Sequence, residues 1–294
     1  MDESAWLAER FEANRSHLRG VAYRMLGSLS DADDAVQEAW IRLSRADTGD
    51  IDDLRAWLTT VVARVCLNLL RARKSRREVP LDTHVPDPIV SPEEGIDPEQ
   101  EALLGDSVGL ALVVVLDSLT PAERVAFVLH DIFAVPFEEI APIVGRTPTS
   151  ARKLASRARR QVQGAPVPDV DLDGQWAVVD AFLGAARAGS FDRLLAVLDP
   201  DVVLRSDGGV ARRELNSHVR GARTIAEQAL TFRQFAETAT RVLVNGMPGG
   251  IAWAPDGSPY AILALTVTGG RIVAIDILAD PERLGKLDLT VVAG

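Results

Sequence analysis

The residues whose types and spacing are best suited to chemistry are cations grouped in Gly145–Val162, which holds six Arg or Lys residues and no acid. A cluster of cations at this density binds anions. Thr147 can cap a helix here, and Pro148 fits the first helical position, where a missing N–H costs nothing. Apolar side chains recur at helical spacing: Ala151, Leu154, Ala155, Ala158 and Val162. The stretch therefore predicts a helix with one packing face and one anion-binding face.

A second short amphipathic segment, Phe137–Val144, precedes this helix and is joined to it through Gly145 and Arg146. Together the two segments have the outline of a helix-turn-helix, in which the second helix enters the major groove of DNA. From this stretch alone, a solvated basic helix remains the alternative.

Positions along the predicted recognition helix differ in what they can reach on DNA. Residues near its N-terminal end lie where base edges are read, and an Arg or Lys facing guanine discriminates by about 1–3 kcal/mol. Arg residues later in the helix are better placed to hold phosphates. The predicted DNA contacts of this helix are Thr147, Thr149, Ser150, Arg152, Lys153, Arg157 and Arg160.

The charge distribution indicates a second contact with nucleic acid. The formal net charge is −10, the wrong sign for a protein that coats nucleic acid nonspecifically. However, Leu54–Arg77 predicts a long amphipathic helix with seven basic residues and no acid, whereas Glu78–Asp117 has ten acids and no Arg or Lys. Basic residues at a helix C-terminus also satisfy the helix dipole, so part of this cluster needs no function.

An acidic helix is predicted near the N-terminus, within residues 11–45, which are expected to form two helices. Ser30 can cap the second helix, and Asp31, Asp34 and Glu38 share one face, with Gln37 beside it. Capping and solvation explain such a face, and docking on a basic partner protein explains it equally well.

Length and composition place the chain among globular proteins. Its 294 residues are enough for two or three domains, and 47% of them are hydrophobic and 25% charged. No apolar run approaches the roughly 20 residues of a membrane span, and no signal peptide is recognisable. With Cys66 as the one cysteine and four histidines, we expect no disulfide, no metal and no cofactor, and a location in the reducing cytoplasm.

Two Pro-rich stretches divide the chain. Glu78–Glu101 has five prolines and no helical period, and Gly164–Asp173 has two prolines among acidic residues. Both stretches are therefore predicted linkers. Beyond Gly174, two predicted helices are followed by alternating segments that end in a hairpin at Tyr260–Leu278. This order predicts an α+β domain with a mostly antiparallel sheet.

Several ordered motifs resemble the extracytoplasmic-function sigma factors of bacterial RNA polymerase. Asp31–Trp40 (DADDAVQEAW) is similar to the region 2 helix that binds core polymerase, and Leu54–Leu58 with the basic helix after it is similar to the segment that contacts the −10 element. Leu119–Arg124 (LTPAER) and Ala155–Arg159 (ASRAR) resemble region 4, which reads the −35 element. The resemblance implies core contacts at Asp31, Asp34, Gln37 and Glu38, and −10 contacts at Arg64, Asn68, Arg71, Arg73, Lys74 and Arg77. It assigns the DNA contacts of the recognition helix to the −35 element.

The rest of the chain resembles a subgroup with a SnoaL-like domain fused after region 4. Three sequence motifs mark that subgroup: a Pro-rich linker motif, a DGGG-type loop and a terminal NPDKL-type segment. Each appears here in altered form. His84 stands in place of Trp in the first and Val210 in place of Gly in the second, and Asp280, Glu282 and Arg283 are the substitutes in the third. The implied interdomain regulatory residues are Pro86, Asp87, Pro88, Asp207, Gly208, Gly209, Asp280, Pro281 and Leu284.

The resemblance implies a multi-domain protein with two all-α domains and a C-terminal α+β SnoaL-like domain, cone-shaped as in its fold class. The expected boundaries are 1–77 for region 2, 78–101 for a linker, 102–163 for region 4, 164–173 for a second linker and 174–294 for the SnoaL-like domain. Core RNA polymerase and promoter DNA are the expected partners, with neither a membrane nor a dedicated anti-sigma factor. We expect the chain to be a sigma factor regulated in cis rather than an enzyme.

Two alternatives remain open at this point. The C-terminal domain could be an enzyme or a sensor that binds a small molecule in its cavity, with His218, Asp207, Tyr260 or Asp276 as polar groups. A plain helix-turn-helix regulator is the other alternative, although it leaves the acidic helix unexplained.

Overall fold

A computed structural model describes residues 3–46, 51–76, 83–93, 109–290 and 292. These residues fall into two compact units. The first contains residues 3–46, 51–76 and 113–165, and the second contains residues 83–93, 109–112, 166–290 and 292. The predicted linker segment 83–93 therefore belongs to the second unit, although in sequence it lies between two parts of the first.

Three helices form the first helical group: α1 (Glu3–Leu26), α2 (Leu29–Leu43) and α3 (Leu54–Arg76). All three pack against one another around fully buried side chains that include Leu18, Leu43 and Leu58. Ser28, rather than the predicted Ser30, is the N-cap of α2, because its hydroxyl accepts a hydrogen bond from the Asp31 backbone N–H. The helix begins earlier than predicted because Ser28 already supplies that acceptor.

The second helical group contains α4 (Gly109–Asp117), α5 (Pro121–Phe127), a π-helical turn (Val128–Ile132), α6 (Phe137–Val144) and α7 (Pro148–Val162). Residues 102–108 of the expected region 4 domain lie outside the described residues, and residues 109–112 of α4 belong to the second unit. Thr120 and Glu123 form a capping box at the start of α5. Between α6 and α7, Gly145 has φ +69°, a left-handed conformation that glycine adopts without strain.

The two helical groups pack together within the first unit. Arg124 of α5 is buried and donates a hydrogen bond of 2.9 Å to the Met25 carbonyl at the end of α1. Phe133, which follows the π-helical turn, lies with its ring centroid 5.4 Å from the Arg24 guanidinium and 5.1 Å from the His17 ring. We call these five residues, His17, Arg24, Met25, Arg124 and Phe133, the latch.

Burial and the charges of Arg55 and Arg24 lower the pKa of His17 to about 4. The Arg55 guanidinium lies 2.9 Å from one ring nitrogen of His17, and the other ring nitrogen lies 3.3 Å from the Thr59 hydroxyl. His17 is therefore neutral at neutral pH, and it presents an uncharged ring to Phe133.

From Pro166 onward, the described residues of the second unit form five α-helices, a short 3₁₀-helix (Arg213–Leu215) and most of a mixed sheet. Its helices are α8 (Leu172–Arg187), α9 (Phe191–Val197), α10 (Ala222–Thr231), α11 (Arg233–Glu237) and α12 (Pro281–Leu284). Its strands are β1 (Val90–Ser91), β2 (Leu198–Asp207), β3 (Ser217–Arg220), β4 (Thr240–Val244), β5 (Met247–Trp253), β6 (Pro259–Thr268) and β7 (Arg271–Leu278). The order in the sheet is β1-β4-β5-β6-β7-β2-β3. Neighbouring strands run antiparallel except β2 and β7, which are parallel.

The predicted hairpin is confirmed, with Gly269 and Gly270 between β6 and β7. β1 and β3 were not predicted. β1 comes from the first predicted linker, where Val90 and Ser91 pair with Val244 and Leu243 of β4.

The second predicted linker is also held by the second unit. The Asp169 carboxylate accepts the backbone N–H groups of Gly269 and Gly270 at 2.9 and 3.0 Å, and these hydrogen bonds lower the pKa of Asp169.

Candidate nucleic-acid interface and linker clamp

The predicted −35 residues lie on the open face of α7. Thr149, Arg152, Lys153, Arg157 and Arg160 are exposed and Ser150 is partly exposed, whereas Ala151, Ala155 and Ala158 are buried. The exposed Thr147 is the N-cap, since its hydroxyl accepts the Ser150 backbone N–H. The amphipathic pattern is thus confirmed, and the helix presents its cations along one side.

Neighbouring side chains already engage some cations of α7. Arg159 forms an ion pair with Asp131 at 2.5 Å, so its guanidinium is fixed by the protein itself. Arg157 lies 3.9 Å from Glu123 and is largely exposed, which makes that ion pair weak. Arg152 lies over the Phe137 ring, 5.3 Å from its centroid. This contact orients the Arg152 side chain near the N-terminal end of the helix.

Four of the predicted −10 residues form one exposed stripe on α3: Arg64, Asn68, Arg71 and Lys74. Arg73 is nine positions after Arg64, about half a turn away at 100° per residue, so it faces the other way. It donates a hydrogen bond of 2.9 Å to the Leu26 carbonyl and forms an ion pair with Asp31. The structure therefore gives Arg73 a packing role between helices. Arg77 lies outside the described residues.

The predicted core contacts differ in how freely they face solvent. Asp31 is paired with Arg73, and Glu38 forms an ion pair of 2.9 Å with Arg42 one turn along α2. Asp34 and Gln37 are exposed, and within the described residues they make no ion pair or side-chain hydrogen bond. These two side chains are the most available part of the acidic face.

The linker segment is fixed to the α+β unit by a charged cluster that we call the linker clamp: His84, Val85, Asp87, Asp207 and Arg283. Arg283 contacts Asp87 at 2.5 Å and Asp207 at 2.8 Å, and it donates to the Val85 carbonyl at 2.6 Å. The Asp207 carboxylate also accepts the Val85 backbone N–H at 3.2 Å and lies 3.1 Å from the His84 ring nitrogen. One guanidinium thus joins two carboxylates and the backbone of the linker.

Electrostatics favours the charged form of the clamp. Burial alone would raise the pKa of Asp207, but the hydrogen bond from His84, the charge of Arg283 and the Val85 N–H outweigh it and lower the pKa below its ordinary value. Gly209 shapes the same loop, because it has φ +64° and any Cβ there would collide with the Asp280 carboxylate.

Further contacts hold the rest of the segment. The Ile89 N–H donates to the Asn245 side chain at 3.0 Å, and the Asn245 N–H donates back to the Ile89 carbonyl at 2.7 Å. Glu93 forms an ion pair of 2.6 Å with Arg241. Residues 85–91 are all buried.

The predicted interdomain residues are brought together in the second unit. Pro86, Asp87, Pro88, Asp207, Gly208 and Leu284 are buried, Gly209 and Asp280 are partly exposed, and Pro281 is exposed. Asp280 caps α12, which carries Arg283. Arg283, His84 and Asn245 were not assigned from the sequence. The available signal was that His84 and Arg283 depart from the subgroup pattern in two segments that meet here.

An enzymatic α+β domain was expected to place four polar residues in its cavity: His218, Asp207, Tyr260 and Asp276. The structure does not bring these four side chains together in one site. Tyr260 lines a cavity of this domain, whereas Asp207 belongs to the linker clamp and His218 is exposed. Asp276 is buried and paired with Arg205 at 2.9 Å. It stands between Ile275 and Ile277 on β7, and both of those residues line the cavity. Since successive side chains of a strand point to opposite faces, Asp276 faces away from the cavity. Burial raises the pKa of Asp276, against the opposing charge of Arg205.

Two further features bear on partners. Within the described ranges, no helix is long and apolar enough to cross a membrane. In the same part of the chain, no group of three or more His, Cys, Asp or Glu side chains is arranged to hold a metal ion.

Comparison with known families defines the class of protein. Residues 10–76 match Sigma-70 region 2, and residues 109–162 match Sigma-70, region 4. These ranges correspond to the two helical groups.

Whole-chain relatives then define the family. The ECF RNA polymerase sigma factor SigJ of Mycobacterium tuberculosis (strain ATCC 25618 / H37Rv) is 38% identical over 289 residues, which cover 93% of this chain and 91% of SigJ. The probable ECF RNA polymerase sigma factor SigI of the same strain is 38% identical over 284 residues, 94% of each chain. The crystal structure of M. tuberculosis SigJ aligns with a TM-score of 0.78 at 36% identity, over 96% of this chain and 99% of that one. The chain therefore belongs to the ECF RNA polymerase sigma factors, with the α+β domain included in the match.

Proposed function

We propose that this chain directs core RNA polymerase to promoters, and that its α+β domain controls in cis when the two DNA-reading helical groups can separate. The observation that carries the proposal is the linker clamp, which fixes to the α+β domain the segment that joins the two groups. The assignments of α7 to the −35 element, of the Arg64–Lys74 stripe to the −10 element and of Asp34 and Gln37 to the core are parts of the same proposal. Cytoplasmic location and independence from a separate anti-sigma factor remain predictions.

A distance argument supports control by separation. The −10 and −35 elements are roughly 25 base pairs apart, which at 3.4 Å per pair is about 85 Å of duplex. In the first unit, by contrast, Arg124 of the second helical group lies 2.9 Å from the Met25 carbonyl of the first. Two groups in direct contact cannot reach both elements on a straight duplex. The latch therefore belongs to a closed arrangement that opens when both elements are bound.

Arg283→Ala tests the proposal by in vitro transcription with core polymerase on a promoter library. We expect more transcript than from the unchanged protein, because the linker is no longer held. Lys286→Ala is the matched control, since Lys286 follows α12 and pairs with Glu282 outside the clamp. Asn245→Gly is a second variant that leaves no buried charge unpaired. It removes the acceptor of the Ile89 N–H, and glycine tolerates the φ of +51° at this position.

Transcription that stays unchanged in both Arg283→Ala and Asn245→Gly, with linker amides exchanging faster than in the unchanged protein, would refute control through the linker. A failure of the unchanged protein to bind core polymerase would refute the sigma activity itself.

A further inference from the structure

The α+β domain contains a cavity of about 200 Å³. Helices α8, α10 and α11 line one side, and strands β2, β3, β5, β6 and β7 line the other. Most of the lining is apolar, including Phe182, Leu204, Ile225, Leu263 and Ile275. An apolar cavity of roughly 150 Å³ is large enough to stay dry and to bind benzene. The volume here therefore suits a molecule somewhat larger than one aromatic ring.

Part of the cavity lining is aromatic and includes Phe232, Phe235 and Tyr260. Phe235 stacks on Tyr260 with ring centroids 3.7 Å apart and planes 8° from parallel. Phe232 lies 6.4 Å from Phe235 and is 43% exposed. Leaving an aromatic side chain this exposed forgoes part of its burial energy, which a flat ligand packed against Phe232 would restore.

The polar groups of the cavity restrict the charge of its ligand. Ser206 and Ser217 are paired across β2 and β3, so their hydroxyls face the same space. Gln228 and Tyr260 add two more groups able to hydrogen-bond, and Glu214 is the one charged residue among the described residues of the lining. Among the described residues that line the cavity there is an acid and no Lys or Arg, and the nearby Arg212 is held by the Tyr260 and Ala279 carbonyls outside the lining. The lining therefore disfavours anions.

We infer that the cavity binds an uncharged aromatic or alicyclic molecule carrying a hydroxyl or N–H donor, and that its occupancy tightens the linker clamp. The ligand class stands on the cavity alone, whereas the regulatory consequence rests on the proposed function. The ligand's rings occupy the apolar interior, and its donor meets the serine hydroxyls or Glu214.

The cavity wall and the linker clamp share their backbone, which provides the coupling. Ser206 lines the cavity and the next residue, Asp207, holds the linker. Ala279 also lines the cavity, and its N–H donates to the Asp207 carbonyl at 2.7 Å. Arg212 joins both walls, because its guanidinium donates to the carbonyls of Tyr260 at 2.9 Å and Ala279 at 3.0 Å and lies 4.5 Å from the centroid of the Tyr260 ring. A ligand that orders these walls also orders Asp207 and the start of α12.

The test uses the full-length protein with 2-naphthol and, as the charged counterpart of similar shape, 2-naphthoate. Calorimetry measures binding, and hydrogen exchange of the peptide spanning residues 85–91 measures the clamp. We expect 2-naphthol to bind and 2-naphthoate not to bind. If only the clamped state binds, 2-naphthol at 100 times its Kd slows linker exchange by up to about 100-fold.

Ala229→Phe locates the ligand, because Ala229 lines the cavity from α10. Its matched control is Glu227→Phe, which adds the same ring at an exposed position of the same helix. We expect loss of 2-naphthol binding in the first variant and normal binding in the second.

Absence of binding to the unchanged protein, equal binding of 2-naphthoate, or full binding by Ala229→Phe would overturn the ligand site. Binding without any change in linker exchange would overturn the coupling and leave the ligand site standing. Neither readout depends on transcription, so failure of the proposed function is scored separately.

Discussion

Removing the aromatic ring of the latch should open the helical unit. Phe133 is the one latch residue that contacts the first helical group through its ring alone, and that ring contacts both Arg24 and His17. Phe133→Ala deletes both contacts and leaves no buried charge unpaired. The variant therefore weakens the closed arrangement with little damage to the core of either helical group.

The size of the effect follows from the two contacts. Arg24 is 8% exposed, so its interaction with the ring is desolvated and contributes up to about 2 kcal/mol. The edge-to-face contact with His17, with ring planes at 89°, adds about 0.5–1.5 kcal/mol. A total of roughly 1.5–3 kcal/mol corresponds to about a 10- to 150-fold fall in the ratio of closed to open molecules.

Distance measurements between spin labels can report this shift. Glu9→Cys on α1 and Ser156→Cys on α7 place labels at exposed positions of the two groups. Cys66 is buried, and burial raises the pKa of its thiol, so it stays unlabelled. We expect Phe133→Ala to add or enlarge a population with long distances.

Trp6→Ala is the matched control for this measurement. Trp6 is also a partly exposed ring beside a guanidinium, with Arg10 at 4.8 Å, but both residues lie on α1. The reasoning is refuted if Phe133→Ala retains its helical circular dichroism and gives the same distance distribution as Trp6→Ala.

Three further predictions concern the DNA-binding face of α7, the acidic face of α2 and the pH dependence of stability. Arg152→Ala should change sequence preference at the −35 element by about 1–3 kcal/mol at one position, whereas Arg160→Ala should mainly reduce the salt dependence of binding, both measured by titration with a promoter library. Charge reversal by Asp34→Lys should weaken binding to core polymerase at least tenfold in a competition assay, whereas Asp33→Lys, at a carboxylate already bound by an Arg of α1, should have a smaller effect. Because the pKa of His17 is lowered to about 4 from 6.5 in the unfolded chain, the folded state loses stability as pH falls from about 6.5 toward 4. With His17 only half buried, that loss is at most about 1–2 kcal/mol, and it should disappear in His17→Gln when unfolding is followed at several pH values.

The faces of the helices could be predicted from sequence because helical periodicity is local. Ala151, Ala155 and Ala158 are buried as the spacing of apolar residues predicts, and Arg152 and Arg160 are exposed. Periodicity of the same kind shows that Arg73 faces away from Arg64. The partners of Arg73 could not be predicted, because they are supplied by the end of α1 and by α2.

The linker shows where local reasoning fails. Five prolines and the lack of a helical period predict a chain without regular structure, yet Val90 and Ser91 form an edge strand and Ile89 is 3% exposed. Its partners Asp207 and Arg283 are more than a hundred residues away in sequence, and no spacing rule connects them. The family resemblance did select Asp87, Asp207 and the segment around Leu284, but not the guanidinium that joins them.

The energies of the latch and of a cavity ligand decide what kind of switch this protein can be. Driving a two-state equilibrium from 1:99 to 99:1 requires about 5.5 kcal/mol of differential binding. A ligand at 100 times its Kd supplies about 2.7 kcal/mol, close to the roughly 1.5–3 kcal/mol that the Phe133 ring contributes to the latch. A small molecule in the cavity therefore shifts the proportion of closed molecules without fixing them all in one state. Core polymerase and promoter DNA, which act on the same equilibrium with larger surfaces, must supply the remaining free energy, so the ligand should tune the amount of transcription rather than abolish it.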